Sequence, residues 1–187
     1  MFSTQLFTAG RIRLDGLAPE QDGPVVAAWS HDLESARLSN QYPPRPLSVA
    51  QAARQLREWD KERREQRNAF PFAIRAVDDD RLLGLARLRP VRWARQSAQI
   101  WLTIGAASDR RQGYGGLALG LLVRYAFDEL GLFQLTGHVA AYNAGGQAVL
   151  RKHGFRLEVT RRAAIGWRGR RWDELYFGLT AEGRKAP

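Results

Sequence analysis

Ile104-Gly-Ala-Ala-Ser-Asp-Arg-Arg-Gln-Gly-Tyr-Gly-Gly116 is the stretch on which the fold turns. An apolar strand, Ser97–Ile104, runs into an arginine-rich turn, and glycines then open a helix. The first N–H groups of a helix lack intrahelical partners and concentrate partial positive charge, so such a terminus receives phosphate readily. Glycine lets phosphate oxygens approach backbone that a Cβ would obstruct. Arg110 and Arg111 add charge-assisted donors. Gly113, Gly115 and Gly116 fit neither the G-x-x-x-x-G-K-[ST] loop nor the G-x-G-x-x-G fingerprint. On this stretch alone two readings stand: a phosphate cradle, or a glycine-rich loop leading into a helix.

Working outward, Gly113 to Leu130 reads as one long helix, with Leu117, Leu121 and Tyr125 on one face and Gly131 just past its end. Upstream, Phe70–Val77 and Arg81–Pro90 are strand candidates joined by the tight turn Asp78-Asp-Asp80. Downstream come a strand over Gln134–Ala141, a short helix over Gln147–His153, and a hairpin of Phe155–Trp167 with Trp172–Thr180. Arg11–Asp15 alternates like a half-buried strand, and a short helix is expected near Asp22–Ser30 with Pro24 in its first turn. Gln41-Tyr-Pro-Pro-Arg-Pro46 must be a loop. Ser48 and Gln51 form a capping-box signature for a helix whose charged run, Asp60 to Arg67, is its solvated end. The order β-α-α-β-β-β-α-β-α-β-β predicts an α+β fold, a mixed sheet with helices on both faces.

A chain of 187 residues suits a single domain spanning 1–187, long enough to bury a core without staples. It contains no cysteine, which removes thiolate nucleophiles, Cys-based zinc sites and disulfides together, and no metal site is expected. No apolar run approaches the roughly 20 residues of a membrane span, and Met1–Arg11 lacks signal architecture, so a cytoplasmic location is expected and no membrane contact. Twenty-nine basic residues against 19 acidic ones give +10, concentrated between Arg151 and Arg171. That field attracts anions, whether cofactor phosphates, an acidic protein or RNA, and a merely solvated surface explains it equally well. Arginine and tryptophan alternate in Trp167-Arg-Gly-Arg-Arg-Trp172, which suits stacking on bases or binding acidic protein, or simply a glycine-turned hairpin.

Several segments in order go further. Arg110-x-x-Gly113-x-Gly115 resembles the R/Q-x-x-G-x-G/A signature of GNAT acetyltransferases, and Tyr125–Leu132 resembles the end of that family's cofactor helix. Asn143 with Val149-Leu-Arg-Lys-His-Gly-Phe155 resembles its N-x5-V-L-x-K-x-G-F segment. With Trp172-Asp-Glu-Leu-Tyr176, the whole is similar to the RimJ/RimL branch of ribosomal-protein and peptide N-terminal acetyltransferases. The ungapped likeness covers about Ser97 to Phe155 and a looser one Arg11 to Thr180.

The resemblance implies a mostly antiparallel sheet of about seven strands flanked by about four helices. It implies acetyl-CoA as acyl donor and direct transfer to a primary amine: a protein N-terminus, as on a ribosomal protein, a side chain, or a small amine. The strand Trp101-Leu102-Thr103-Ile104 would splay from its neighbour and pair with the pantetheine arm. Amides of Gln112, Gly113, Tyr114, Gly115 and Gly116, helped by Arg110 and Arg111, would hold the pyrophosphate, and Asn143 would bond the pantetheine. The chain departs from its relatives at three positions. Gln99 stands where many carry a glutamate base, Gly146 where the family has a serine, and Leu150 where a related branch has a tyrosine acid. Water can relay the proton, or substitutes can serve, with Tyr142, Tyr114 and Asp173 as candidates and Gln99 as a hydrogen-bonding helper. His138 sits mid-strand where it could face the cleft, whereas His31 and His153 read as surface or packing residues. Two other readings remain: a non-catalytic acyl-CoA-binding domain, and an RNA-associated protein using the Arg151–Arg171 region. Both monomer and homodimer are compatible with the sequence, and loops such as Tyr42–Leu47 and Arg168–Arg170 would select the acceptor.

Overall fold

A computed structural model describes residues 6–39 and 43–184, so Gln41 and Tyr42 of the expected proline-rich loop lie outside the described residues. Eight strands form one sheet, ordered β1-β2-β3-β4-β5-β6-β8-β7. The first half comprises β1 (Thr8–Ala9), β2 (Ile12–Asp15), β3 (Phe70–Ala76) and β4 (Leu82–Arg92). The second comprises β5 (Ser97–Ile104), β6 (Gln134–Ala140), β7 (Arg156–Trp167) and β8 (Arg170–Thr180). Every neighbouring pair is antiparallel except β5 and β6. A parallel pair needs a crossover, and α4 (Tyr114–Arg124) supplies it.

Successive strand residues point to opposite faces, which sorts the core into two layers. Ile74, Leu83, Ile100, Leu135 and Phe177 meet Leu119 and Leu122 of α4 on one face. On the other, Ala73, Leu82 and Leu85 meet Leu56 of α3 (Val49–Gln66) and the rings of Trp29, Trp59 and Trp101. Along β5 this alternation turns Ala98, Ile100, Leu102 and Ile104 toward α4, and Gln99, Trp101 and Thr103 toward the side of α1 (Pro19–Ser30) and α3. The alternating Arg11–Asp15 stretch, the Asp78–Asp80 hairpin and the capping box are as read from sequence. Gln51 N–H donates to Ser48 Oγ (3.2 Å) while Ser48 N–H donates to Gln51 Oε1 (2.9 Å).

The expected counts fit roughly: among the described residues the two-residue β1 and the six-residue α2 (Leu33–Leu38), both too short to show a period, bring the total to eight strands and, with α5 (Ala144–Lys152), five helices. Three expected bounds need correcting. α1 starts at Pro19, so Pro24 lies inside the helix and not in its first turn. α4 ends at Arg124 and passes into a π-helical turn, Tyr125–Glu129, before Gly131 closes it at φ +62°. The helix after β6 begins at Ala144, three residues before its expected start.

α1 is fixed to the sheet by charge and by close approach. Asp22, 1% exposed, accepts from Arg75 of β3 at 2.7 Å and from the Ala18 amide at 2.8 Å. The Trp29 indole lies directly on Gly105, where a Cβ would come within 2.0 Å of the ring. Removing one partner of a buried pair leaves the other charge without compensation. Asp22→Ala should therefore cost about 3–5 kcal/mol in urea denaturation, whereas a loss near zero would show that Arg75 finds water instead.

Candidate functional site

β5 and β6 pair only through Ser97↔Gln134, Ala98↔Leu135 and Gln99↔Thr136, while β5 stays paired with β4 as far as Gly84↔Ile104. Beyond Gln99, then, one edge of β5 opens away from β6. Gly105 N–H donates to Leu83 O at 3.0 Å, so odd-numbered residues of this strand bond to β4. The N–H and C=O groups of Ile100 and Leu102 and the N–H of Ile104 consequently point into the opening, while the Ile104 carbonyl receives Arg110 Nε at 3.4 Å. Of the four residues expected to pair there, Leu102 and Ile104 are placed for it, and Trp101 bonds to β4. Thr103 is turned the other way, its backbone facing Leu85 and its side chain lining a cavity of about 40 Å³ with Trp29, Trp59 and Trp101.

The glycine turn lies just beyond the end of β5. Gly113 holds φ +86°, a conformation closed to most side chains, and its carbonyl receives both Gly116 and Leu117 N–H at 3.1 Å. Gln112, Gly113, Tyr114 and Gly115 are left with amides that bond no acceptor among the described residues, whereas the Gly116 amide is already engaged. A Cβ on Gly115 would sit 3.7 Å from Leu102 and 3.8 Å from Ile104, so this glycine faces the free edge of β5. Arg111, Gln112 and Gly113 are exposed.

Arg110 does not face the turn as expected. Its Nη2 donates to Asp32 (2.5 Å) and to the Gly105 carbonyl (2.6 Å), and Nη1 reaches Glu34 at 3.4 Å, so it ties the end of β5 to the start of α2. Arg11, which the sequence reading passed over, takes its place: it donates to the Gln112 carbonyl at 2.8 Å and lies over the Tyr114 ring. Tyr114 is buried beneath that guanidinium, which leaves it a packing residue. Asp109 is held by both bonds from Arg81 (2.8 and 2.9 Å), so its charge is already answered.

The last carbonyls of α2, orphans of a helix C-terminus, are met by donors from both sides of the opening. Trp101 Nε1 of β5 donates to Ser39 O (2.9 Å), Asn143 Nδ2 to Leu38 O (3.1 Å) and Tyr142 OH to Arg37 O (3.3 Å). These bonds engage two of the expected site residues. Asn143 is buried, its Oδ1 caps α5 by accepting Gly146 N–H (2.8 Å), and its Nδ2 keeps a second N–H beyond the one given to Leu38. Tyr142 has its hydroxyl engaged and its ring between Trp167 and Trp172. Gly146 also becomes intelligible, since a Cβ there would meet the Asn143 amide at 2.9 Å.

Beside the parting point, on the α1–α3 side, lies a polar cluster. Gln99 Nε2 contacts His138 Nδ1 at 2.5 Å, and His138 Nε2 lies 3.7 Å from Glu174. Glu174 accepts from Tyr176 OH and Arg161 Nη1, both at 2.9 Å, and Tyr176 stacks on the imidazole. With Nδ1 facing an amide N–H and Nε2 facing a carboxylate, the neutral imidazole carries its proton on Nε2. Burial lowers the His138 pKa below 6.5, with Glu174 opposing and Arg161 assisting. Asp173 stands apart from this cluster: it accepts the Ala163 amide (2.9 Å) at a bulge in β7, and the acid that reaches the site is its neighbour Glu174. Among the described residues no group of three potential metal ligands comes together, and no helix is long and apolar enough to cross a membrane.

Residues 11–156 match the acetyltransferase (GNAT) domain family. The chain belongs to the GNAT family. A probable N-acetyltransferase of Bacillus subtilis, YjcK, is 36% identical over 99 residues, 52% of this chain and 54% of its own. The match thus spans about half the length of that curated relative. The GNAT fold is shared with RimL, a ribosomal L7/L12 alpha-N-protein acetyltransferase solved with coenzyme A. That structure has a TM-score of 0.79 at 16% identity, over 94% of this chain and 97% of that one. It is shared also with the spermidine N-acetyltransferase of Vibrio cholerae solved with CoA and spermine, at TM-score 0.78 and 18% identity, over 92% and 97% of the two chains.

Against the GNAT pattern, Gln99 occupies the glutamate position and its side chain is spent on His138, while Leu150 is buried in the core. His153, expected at the surface or in packing, lies against Gly116 and Gly120 of α4, and burial also lowers its pKa, with Lys152 adding to the fall. Both imidazoles hold a proton less readily folded than unfolded, where the value is about 6.5. As pH falls below 6.5 the unfolded chain takes up these protons first, so stability declines until the folded-state values are passed. His138→Asn and His153→Asn should each flatten the loss of melting temperature between pH 6.5 and 5, and an unaltered slope in both would deny the imidazoles that role.

Proposed function

We propose that this protein transfers an acetyl group from acetyl-CoA to a primary amine by direct attack. The single observation that carries the reading is the free edge of β5 leading to the unpaired amides of Gln112–Gly115. An extended chain with two amides, such as pantetheine, can pair with Leu102 and Ile104 as an added strand would. A pyrophosphate then falls to the α4 N-terminus, with Arg11 and Arg111 as its charged donors. The two structural relatives act on a protein N-terminus and on spermidine, both primary amines.

The thioester supplies a carbonyl whose thiolate, with a thiol pKa of about 8.5, departs without much acid assistance. The amine nitrogen forms the new N–C bond as the C–S bond breaks, and one amine proton must leave. We assign that proton to neutral His138 at Nδ1, from which the Gln99 amide N–H must swing away as the amine arrives, because that nitrogen has one lone pair. Gln99 acts through His138: its amide fixes the ring and its tautomer until the amine arrives, and Glu174 steadies the opposite Nε2–H.

Ligand linkage tests the donor without a known acceptor. A ligand that binds only the folded state adds about 2.7 kcal/mol at a hundredfold excess over Kd, roughly a 5–10 °C rise in Tm for a chain of this size. Acetyl-CoA and CoA should produce that rise, 3′,5′-ADP a smaller one, and Gly115→Glu should abolish it, because the new side chain enters the opening without colliding with the fold. A rise matched by heparin would assign the effect to net charge.

Proton transfer has its own test. His138→Ala should lower kcat by about 10²–10⁴, while Gln99→Glu should move the acid limb of the pH–rate profile upward, since a carboxylate beside Nδ1 favours the imidazolium. A profile unmoved by Gln99→Glu would exclude His138 as the proton acceptor.

A further inference from the structure

The tip of the β7–β8 hairpin lies two to four residues along β8 from Glu174 and gathers arginines on an aromatic block. The strand register places Trp172, Glu174 and Tyr176 on one face of β8, and across from them Ile165, Arg161 and Val159 of β7. Trp167 carries two guanidiniums, Arg37 at 4.2 Å and Arg168 at 4.9 Å from its ring centroid. Trp172 carries Arg170 at 5.0 Å. Tyr142 packs against both indoles, at 5.5 and 5.4 Å. These cations are braced, therefore, on a rigid aromatic block and are not loose on long side chains.

The local charges do not cancel. Glu174 is already bonded to Arg161 and Tyr176, and Asp173 is turned to the Ala163 amide. Arg168 and Arg170 are exposed and form no ion pair with any described carboxylate. Beneath them Trp172 Nε1 is a buried donor with no hydrogen-bond partner among the described residues. An arginine stacked on an indole still presents its edge N–H groups, the geometry that binds a carboxylate bidentately. Base stacking is disfavoured here, because Tyr142 and the guanidiniums already crowd the two indoles.

We infer that the acceptor is an amine on a carboxylate-bearing molecule, and specifically the N-terminus of a peptide with acidic side chains two to four residues on. The spacing sets that register. With a rise of about 3.3 Å per residue, Trp172 and Arg170 stand roughly 7 and 13 Å along the strand from Glu174, beside which the amine would lose its proton. An extended peptide running outward from the amine covers the same distances in two to four residues. This inference rests on the N-acetyl transfer proposed above.

Steady-state acetylation of the peptides Ala-Ala-Glu-Glu, Ala-Ala-Gln-Gln and Ala-Ala-Lys-Lys, with free glutamate and spermidine alongside, tests it. The expected order of kcat/KM is acidic over neutral over basic, by at least tenfold at each step at low salt, falling toward equality as salt is raised. Free glutamate should be poor, since its carboxylates cannot reach the arginines. The double variant Arg168→Glu, Arg170→Glu should collapse the acidic preference through KM, with kcat little altered, and Arg168→Lys, Arg170→Lys should restore part of it. Equal kcat/KM across the peptides, a preference for spermidine, or a double variant with its acidic preference intact would each overturn the inference. So would inhibition by an RNA oligonucleotide stronger than by polyglutamate of equal charge. Failure of acetyl-CoA itself to raise Tm would instead sink the function on which the inference stands.

Discussion

Two parallel strands that separate after three paired residues govern this molecule. β5 keeps its ladder with β4 and β6 keeps its ladder with β8, so each is fully bonded on one side when they part. Twist carries neighbouring strands apart unless hydrogen bonds hold them, and here none does beyond Gln99. A buried strand edge with unmade bonds is costly in a finished fold, which makes it a demand for a partner with peptide-like groups. The crossover helix starts where that partner's phosphates would lie, because the chain must leave the C-terminal end of β5 to return parallel.

The opening is held in shape from above. Trp101 on one strand and Tyr142 and Asn143 beyond the end of the other all bond to the last carbonyls of α2. A short helix with little apolar surface is thus fixed by polar bonds, and Arg110 anchors its other end through Asp32. The same arrangement divides the site by charge. Arg111 near the glycine turn, and Arg168 and Arg170 at the hairpin tip, form no ion pair with a described carboxylate, whereas Asp22, Asp109 and Glu174 are each neutralised by an arginine of their own.

Local features were legible in the sequence. The strand Ser97–Ile104 was read with its bounds intact, the capping box was recognised from Ser48 and Gln51, and the Gly113 turn followed from glycine's access to positive φ. What failed to show depended on distant partners. Arg110 looks like a phosphate ligand until Asp32, 78 residues earlier, is placed beside it. Asn143 looks like a pantetheine ligand alone until Leu38, 105 residues earlier, takes one of its two N–H groups. Asp173 was the candidate in the sequence and its neighbour Glu174 was not; only the register of β8 against β6 and β7 sends the first to a bulge and the second to His138. The resemblance to GNAT enzymes pointed to Arg110 and Asn143, whose side chains this chain also uses to brace α2.

Amide hydrogen exchange along β5, with and without CoA, bears most directly on the central claim. If the free edge of β5 is the pairing edge for the donor, the Leu102 and Ile104 amides should slow at least tenfold on saturation with CoA. The Trp101 and Thr103 amides, already bonded to β4, should change far less. Binding of CoA that left Leu102 and Ile104 exchanging as before, or that protected all four residues alike, would contradict the account.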